Sequence, residues 1–328
     1  MEKRNEFPHE MLSALNNANS ILLCCHISPD GDAVGSLLAM GLTLRSLGKQ
    51  VTMACGDPVP RQFAFLPCVR EIVNADTLRG KRFDLAFAVD TATLERMGAC
   101  AEAFLQAPVT MQLDHHGDNP GYAQYNVVDG KAAAAGCVVR RLMKALNVPL
   151  NKETAACLYC AISTDTGNFV QPNTTAEAFA IMAELMEAGL NLDEAARQLH
   201  LLREEPRARL LGCALKSLKL FGNGKSASMR ITAQDYRDCC ALPEHNTAIV
   251  NYALNVVGVE AAFLAEERES GEVKASLRSL PGLDVNQIAR KYGGGGHKQA
   301  SGLRYPGTID AMCEALEQDL LQLVGEKE

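Results

Sequence analysis

The chain has 328 residues, of which 47% are hydrophobic, and it carries a net charge of −7. This length favours two domains, and the apolar fraction is that of a protein that buries a core. No apolar run approaches the roughly 18 residues of a membrane-spanning helix, and the stretch 1–8 lacks the apolar segment of a secretory signal. We therefore expect a cytoplasmic protein without a membrane partner, and the negative charge argues against a protein that coats long nucleic acid.

The first half of the chain alternates short apolar runs with helical patterns. A β-type run at 20–25 is followed by a helix from about Ala33, with Asp32 in the N-cap position and Gly48 as its stop. Further strands are predicted at 51–55, 84–89 and 109–113, and further helices at 93–104, 132–146, 152–162 and 175–188. This alternation predicts βαβ units and a mostly parallel sheet flanked by helices.

The second half begins with a charged, helical segment, 191–220, which we predict to connect the two domains. Beyond it, strands are predicted at 226–231, 259–266 and 273–280, and helices at 245–256, 285–292 and 309–324. The glycine-rich segment Gly293–His297 predicts a turn before a short strand. The predicted organisation is thus an α/β domain over 1–190, the helical linker, and a smaller α/β domain over 221–328.

The twelve cysteines do not have the pattern of a disulfide framework. Most lie in apolar segments, where a reduced cysteine acts as a small hydrophobe. Cys157 and Cys160 form one Cys-x-x-Cys pair, without the second pair of a zinc site or the surroundings of a thioredoxin-like motif. We predict a structural role for this pair.

Acidic and imidazole side chains stand where several predicted strands of the first domain end. They are His26, Asp30 and Asp32 after the first strand, Asp90 after the run 84–89, Asp114, His115 and His116 after the run 109–113, and Asp165 in Ser-Thr-Asp-Thr-Gly. Because open α/β folds place their sites at the edge where parallel strands end, we expect these groups to gather there. Four carboxyl-bearing segments without a nearby Lys or Arg would repel one another unless divalent metal is bound.

The ligand types narrow the choice of metal. Carboxylates with imidazole favour Mn²⁺-like or Mg²⁺-like ions over a thiolate zinc site, but affinity order alone does not choose among Mn²⁺, Co²⁺ and Zn²⁺. An EF-hand is excluded, because the twelfth position counted from Asp30 is Gly41 rather than Glu. Each Asp taken singly could be a helix cap, so it is the joint pattern that predicts the metal site.

These motifs resemble, in order, the four motifs of the DHH phosphoesterase superfamily. The matching residues are His26-x-x-x-Asp30-x-Asp32-Ala-x-Gly35-Ser36, Val89-Asp90, Asp114-His115-His116 and Thr164-Asp165-Thr166-Gly167. The segment Gly293-Gly-Gly-Gly-His297-x-x-Ala300-x-Gly302 is similar to the signature of the DHH-associated C-terminal domain. Together, over nearly the whole chain, the five motifs resemble the bacterial nanoRNase/pAp-phosphatase family, where pAp denotes 3′-phosphoadenosine 5′-phosphate.

The resemblance implies two divalent ions, with Mn²⁺ as the first choice and Mg²⁺ or Co²⁺ as alternatives. The two ligand sets would be His26, Asp30 and Asp90 for one ion, and Asp32, Asp90, His115 and Asp165 for the other. Asp90 would bridge the ions, Asp114 would orient a ligand His, and His116 would contact the phosphate or its bound water. The residues implied to take part in catalysis are Asp90, Asp114, His115 and His116.

A second group of residues, in the C-terminal domain, is predicted to bind phosphate. Gly293–Gly296 is not a Walker loop, because no Gly-Lys-Ser/Thr follows, but its glycines let backbone N–H groups approach an anion. Arg278 ends a predicted strand and can bind phosphate bidentately. The predicted substrate-binding residues are Arg278, Gly294, Gly295, Gly296, His297 and Lys298. A flexible linker is the alternative reading of the glycine run.

These parts predict hydrolysis of a phosphoester in very short RNA or in pAp, with long nucleic acid excluded as a partner and a homodimer left open. Two alternatives remain: hydrolysis of cyclic or linear dinucleotide messengers, and a nucleotide-binding module without turnover. The intact ligand set argues against the module. A manganese-dependent pyrophosphatase would lack the Gly-rich His signature, and a RecJ-like exonuclease for long strands would be a larger, more basic chain.

Overall fold

The computed structural model describes residues 7–325, which form two compact units that divide between Leu202 and Arg203. The division falls inside the predicted connector 191–220, whose role as a linker stays a prediction. Residues 1–6, on which part of the signal-peptide prediction rests, lie outside the described residues. Within 7–325, no helix combines the length and the apolarity that crossing a membrane requires.

The first unit is a six-stranded sheet with helices packed around it, as the sequence predicts. Its strands are β1 (Ser20–Cys24), β2 (Gln50–Cys55), β3 (Val73–Asn74), β4 (Leu85–Val89), β5 (Thr110–Asp114) and β6 (Tyr125–Val128). Its α-helices are α1 (His9–Asn17), α2 (Gly31–Ser46), α3 (Ala101–Leu105), α4 (Ala135–Ala145), α5 (Lys152–Asp165), α6 (Ala176–Glu187) and α7 (Leu192–Ala196). Short 3₁₀ helices connect them at 61–63, 69–71, 75–78 and 94–100, and a π-helix follows α7 at 197–201.

All strand pairings in this sheet are parallel, and the strand order is β3-β2-β1-β4-β5-β6. The direction of chain progression reverses between β1 and β4, which is the place where open α/β sheets leave a crevice beyond their carboxyl ends. β4 is buried on both faces at all five positions, which explains its continuous apolar run rather than an alternating one. The sheet therefore presents the ends of β1 and β4 side by side.

Two local predictions in this unit were wrong. The N-cap of α2 is Asp30, whose Oδ1 accepts from the backbone N–H groups of Asp32 and Ala33 at 3.0 Å, so Asp32 lies within the first turn. The stretch predicted as one helix over 93–104 is a 3₁₀ helix followed by α3, with a break at Gly98, where φ is 57°. The short strands β3 and β6 were not predicted, because they are too short to show an alternating pattern.

The second unit is a mixed sheet covered by helices. Its strands are β7 (Lys219–Phe221), β8 (Ser226–Ile231), β9 (Ala261–Glu267), β10 (Val273–Ser279), β11 (Gly295–His297) and β12 (Ala300–Tyr305). Its α-helices are α8 (Glu205–Lys216), α9 (Ala233–Asp238), α10 (Val250–Leu254), α11 (Asn286–Lys291) and α12 (Ile309–Gly325), with a 3₁₀ helix at 243–246. The strand order is β11-β12-β10-β9-β8-β7, and only the β8–β9 pair is parallel.

The core of the second unit follows from the alternation along β10. Every second residue of β10 from Val273 is buried, and Val273, Ala275 and Leu277 belong to one hydrophobic cluster with Leu316 and Leu320 of α12. The residues between them, which include Arg278, are half-buried on the other face. The predicted turn over Gly293–His297 extends only to Gly294, because Gly295–His297 form β11.

Candidate functional site

All six predicted metal ligands lie together at the carboxyl edge of the first sheet. His26 follows β1, Asp90 follows β4, and His115 follows β5, while the remaining three lie at the ends of helices. Together with His116, which was not predicted as a metal ligand, they form three overlapping groups, within each of which the ligand atoms lie within 4.8 Å of one another. The groups are His26, Asp30 and Asp90; Asp32, His115 and Asp165; and Asp90, His115 and His116.

Asp90 lies at the centre of this cluster. Its Oδ2 is 3.5 Å from His26 Nε2, and its Oδ1 is 3.6 Å from His115 Nε2. Oδ1 is buried and has no hydrogen-bond partner among residues 7–325. The residue is held in the left-handed region, with φ 51°, which costs some energy for a side chain other than glycine, although Asp adopts it more readily than most. A buried, unpaired carboxylate oxygen facing two imidazoles fits a cation ligand.

Asp32 is oriented by the start of α4. Its carboxylate accepts from the backbone N–H groups of Ala135 at 2.6 Å and Gly136 at 3.0 Å, and from the Ser36 hydroxyl at 2.8 Å. These N–H groups belong to the first turn of α4, where the helix leaves donors free and favours an anion. Burial, followed by repulsion from Asp90 and Asp165, nevertheless raises the pKa of Asp32 well above its usual value.

Close packing of α2 against α5 brings Asp32 and Asp165 to the same place. A Cβ atom on Gly35 of α2 would lie 2.4 Å from the carbonyl oxygen of Cys157 in α5. Only glycine therefore permits this approach of the two backbones. Cys157 and Cys160 are both buried free thiols on α5, where they pack in this region.

His26 presents its Nε2 atom to the cluster. Its Nδ1 donates to the backbone carbonyl of Ile27 at 2.8 Å, which leaves Nε2 facing Asp90 and, at 3.8 Å, Oδ1 of Asp30. A ring nitrogen fixed by a backbone carbonyl is typical of metal-ligating His. Burial alone lowers the pKa of His26, but the contacts with Asp30 and Asp90 outweigh it and raise the pKa to about 10. A proton on Nε2 and a cation are alternative ways to stabilise these carboxylates.

The distances and charges of the cluster fit divalent cations. His115 Nε2 lies 3.4 Å from Asp165 Oδ2 and 3.7 Å from Asp32 Oδ2. Such distances are too long for hydrogen bonds, yet they suit two ligands that share an ion about 2.1 Å from each. Burial raises the pKa of Asp165 to about 6, as expected where several carboxylates meet. Four carboxylates, those of Asp30, Asp32, Asp90 and Asp165, would balance two dications.

Asp114 orients His116. The Asp114 side chain is fully buried and accepts from His116 Nδ1 at 2.9 Å and from Asn119 Nδ2 at 2.5 Å. The hydrogen bond to Asp114 raises the pKa of His116 to about 9 and leaves its Nε2 free. We predicted that Asp114 orients a His that binds metal. In the structure, its carboxylate instead contacts His116, the residue predicted to contact phosphate.

Two residues near the cluster were not predicted. Asn119 supports Asp114, and it also donates to the carbonyl oxygen of Thr91 at 3.3 Å. Arg96 is exposed, and its Nη2 atom lies 3.2 Å from Nδ1 of His26. Neither belongs to a motif, and in both cases the contact depends on how separate loops meet at the sheet edge.

The predicted substrate-binding residues lie in the second unit. Arg278 pairs with Ala300 across β10 and β12, and His297 pairs with the same Ala300 across β11 and β12. Because directly opposite residues of antiparallel strands project from one face, these side chains share a row. Arg278 is half-buried, which lowers its pKa, and its Nη1 donates to the Leu277 carbonyl at 2.9 Å; His297 and Lys298 are exposed.

The glycine run has a structural role in this row. Cβ atoms on Gly294 and Gly296 would lie 2.3 Å and 2.5 Å from carbonyl oxygens of β12, so the absence of side chains permits the pairing of β11. Gly295, between them, has open space around its Cα. Anion binding by these glycines and by Arg278, His297 and Lys298 stays a prediction.

Comparison with known proteins covers both units. The family model described as "DHH family, N-terminal domain" matches residues 20–162, and the model "DHHA1 domain" matches residues 243–324. A relative from Thermus thermophilus, named bifunctional oligoribonuclease and PAP phosphatase NrnA, is 33% identical over 317 residues, which cover 95% of this chain and 93% of the relative. A relative of the same name from Bacillus subtilis is 29% identical over 298 residues, with coverage of 89% and 91%.

Among solved structures, the fold is similar to that of an exopolyphosphatase-related protein from Bacteroides fragilis. The TM-score is 0.86 at 25% sequence identity, and the match covers 95% of this chain and 96% of that protein. The similarity therefore extends over both α/β units.

Proposed function

This chain belongs to the DHH family of phosphoesterases, and we propose that it hydrolyses very short RNA oligonucleotides, pAp, or both, with two divalent metal ions. The observation that carries the proposal is the buried Asp90 carboxylate, which faces His26 through one oxygen and His115 through the other. The names of the Thermus thermophilus and Bacillus subtilis relatives support the substrate class.

The first unit would hold the ions through the clustered side chains. The proposed ligands of one ion are His26, Asp30 and Asp90, and those of the other include Asp32, His115 and Asp165. We add Asp90 to the second set because its Oδ1 lies 3.6 Å from His115 Nε2. Two bound ions of this kind supply Lewis acidity and lower the pKa of water. Mn²⁺ is our first choice, with Mg²⁺ or Co²⁺ as alternatives, because the donors are carboxylate oxygens and imidazole nitrogens.

His116 would handle a proton at the phosphate. Its Nδ1–H is donated to Asp114, so the ring orientation is fixed and Nε2 is the atom left for the substrate. The side chain is 41% exposed, unlike the 2% of Asp90, so it can meet a ligand that arrives from solvent. The hydrogen bond to Asp114 raises the pKa of His116 and so favours a protonated ring, which can donate a proton to a phosphate oxygen or to the leaving oxygen.

The second unit would bind the anionic end of the substrate. Arg278 and His297 lie in one cross-strand row, and Lys298 follows His297 directly. Three cationic or donor side chains suffice for roughly one to three phosphates. We therefore propose that Arg278, His297 and Lys298, with the backbone of Gly294, Gly295 and Gly296, select substrates with few phosphates.

The proposal is tested with one panel of substrates. The purified chain is incubated with Mn²⁺, or with a chelator, together with pAp, a pentaribonucleotide and cyclic dinucleotides, and initial rates are compared. We expect Mn²⁺-dependent hydrolysis of pAp, of the pentanucleotide, or of both. Faster hydrolysis of the cyclic dinucleotides would favour a messenger phosphodiesterase, and tight binding without turnover would favour a nucleotide-binding module.

A further inference from the structure

We propose that Arg96 binds a second, non-reacting phosphate of the substrate, so that the first unit itself favours substrates with a terminal phosphate. The inference rests on the proposed function and deepens it, because it concerns which short substrates the same site prefers. It assigns a role to a residue that lies outside every motif of the sequence.

The position of Arg96 is fixed relative to His26. The backbone N–H of Ile27 donates to the carbonyl oxygen of Arg96 at 2.7 Å, so the loop after β1 and the 3₁₀ helix Leu94–Cys100 are joined directly. The Ile27 side chain packs against Gly98, where a Cβ atom would lie 2.4 Å from Ile27 Cγ2. The backbone that carries Arg96 therefore moves with the backbone that carries His26.

The guanidinium group of Arg96 has N–H donors without an acceptor among residues 7–325. Its Nη2 atom lies 3.2 Å from His26 Nδ1, but that nitrogen carries the proton that it donates to the Ile27 carbonyl and cannot accept a second hydrogen bond. No carboxylate among residues 7–325 forms an ion pair with Arg96. An exposed guanidinium without an acceptor is suited to bind a phosphate in a bidentate manner.

The geometry indicates which phosphate Arg96 would bind. Nε2 of His26 faces Asp90, and Arg96 approaches Nδ1 on the other edge of the same ring. Arg96 is thus separated from the carboxylate cluster by the width of an imidazole. We assign Arg96, on the Nδ1 edge, to the next phosphate of a short substrate, because the reacting phosphate would lie beside Asp90 on the Nε2 edge.

A purely structural role makes a different prediction. If Arg96 only supported His26, its loss would lower the turnover of every substrate by a similar factor. If Arg96 binds a terminal phosphate, its loss would act mainly on KM and only for substrates that carry that phosphate. The contrast between two matched substrates therefore separates the two roles.

The experiment compares the dinucleotides pApA and ApA, which differ only in the 5′ phosphate. We expect Arg96→Ala to lower kcat/KM for pApA about tenfold more than for ApA, mostly through KM, since one charge-assisted contact contributes about 1.4 kcal/mol. Arg96→Lys should retain part of the preference, because it keeps the charge but loses the planar fork. Arg79→Ala, at a side chain that is 86% exposed, is the control for removing a surface charge.

Binding provides a second readout that does not depend on turnover. Both dinucleotides are prepared with a methylene group in place of the bridging oxygen, and their dissociation constants are measured for wild type and Arg96→Ala with Mn²⁺ present. We expect the variant to lose about tenfold in affinity for the phosphorylated analogue alone. Equal losses for both analogues, or no loss for either, would overturn the role of Arg96. If wild type hydrolyses none of pAp, pApA and ApA, the proposed function fails, while the binding contrast still decides the inference.

Discussion

Asp90 Oδ2 lies 3.5 Å from His26 Nε2, and each residue stands two positions beyond a registered pair of neighbouring strands, Cys24 of β1 and Ala88 of β4. Because the strands run in parallel, the segments that follow β1 and β4 leave the sheet at the same level of the same edge. The contact at the centre of the candidate site is thus a direct consequence of strand pairing at the point where the strand order reverses.

Removing the central carboxylate should abolish activity and spare the fold. We expect Asp90→Asn to lower phosphoesterase activity by at least two orders of magnitude, because it removes the proposed shared ligand. Asn tolerates the left-handed backbone at this position, whereas Asp90→Ala would add strain of about 1 kcal/mol or more. Thermal unfolding with a chelator present should show an Asp90→Asn chain as stable as wild type or more stable, because repulsion among the carboxylates is relieved.

The matched control for this variant is Asp118→Asn, which changes an exposed carboxylate close in sequence to the same edge. We expect it to keep wild-type activity. Near-wild-type turnover by Asp90→Asn would contradict the two-metal assignment, whatever the control shows.

The close approach of α2 and α5 should be sensitive to a single methyl group. We expect Gly35→Ala to destabilise the chain by about 1–3 kcal/mol, because the added Cβ would meet a backbone carbonyl at 2.4 Å. Gly212→Ala is the counterpart in α8, where nothing lies within 4 Å, and it should stabilise the chain by about 0.5–1 kcal/mol. Urea denaturation of the two variants measures both effects, and a neutral Gly35→Ala would show that the helices separate at no cost.

The stability of the cluster should depend on pH in a direction set by Asp165. Burial raises the pKa of its carboxyl from 3.8 to about 6, so the folded chain binds this proton more tightly than the unfolded chain does. The stabilisation from the protonated carboxyl is therefore fully present below about pH 4 and is lost as the pH rises through about 6. With a chelator present, we expect Asp165→Asn to gain about 2 kcal/mol relative to wild type between pH 4 and pH 7, as judged by urea denaturation.

Bound Mn²⁺ should reverse the order of stability of wild type and Asp165→Asn. Bound Mn²⁺ stabilises only the folded chain with deprotonated ligands, so with saturating Mn²⁺ at pH 7 wild type should become the more stable of the two. Two outcomes would contradict the placement of Asp165 among the ligands. One is that Asp165→Asn, with a chelator present, gains no stability relative to wild type as the pH rises. The other is that Mn²⁺ stabilises the variant as much as wild type.

The second unit should affect substrate binding more than chemistry. We expect Arg278→Ala to raise KM for pAp or dinucleotides about tenfold with a smaller change in kcat, because a phosphate contact present in both ground and transition states changes mainly binding. Arg278→Lys should be intermediate. Lys274→Ala changes a cation on the same face of β10, paired with Glu272 at 3.0 Å, and should leave KM unaltered. A large fall in kcat with unchanged KM would argue against this role.

Much of the candidate site could be predicted from local sequence, because its residues directly follow apolar strand runs. The run 84–89 is followed by Asp90 and the run 109–113 by Asp114. Because parallel strands end at one edge of the sheet, this order predicts that the two side chains lie close together. The predicted parallel sheet and the smaller α/β unit are confirmed for the same reason: continuous apolar runs and helical stripes are local signals.

Contacts between distant segments could not be predicted in this way. Asp32 fits the pattern of an N-cap as well as Asp30 does, and only the position of α4 against it shows that it accepts from Ala135 instead. The approach of Arg96 to His26 depends on the break at Gly98 within a 3₁₀ helix that looks like an ordinary helix in sequence. Such features arise from the packing of loops, which leaves no periodicity to read.

A metal-dependent phosphoesterase for very short substrates should lose efficiency as its substrate lengthens. The measurement is kcat/KM for an RNA series from two to twenty-four nucleotides at fixed Mn²⁺ and salt. The chain has a net charge of −7, and few cations are proposed to bind substrate, so the additional phosphates of a longer strand would form no further favourable contacts. We therefore expect kcat/KM to fall beyond about five nucleotides. Rates that rise with length, or processive degradation of the longest strand, would contradict the account and favour an exonuclease for long single strands.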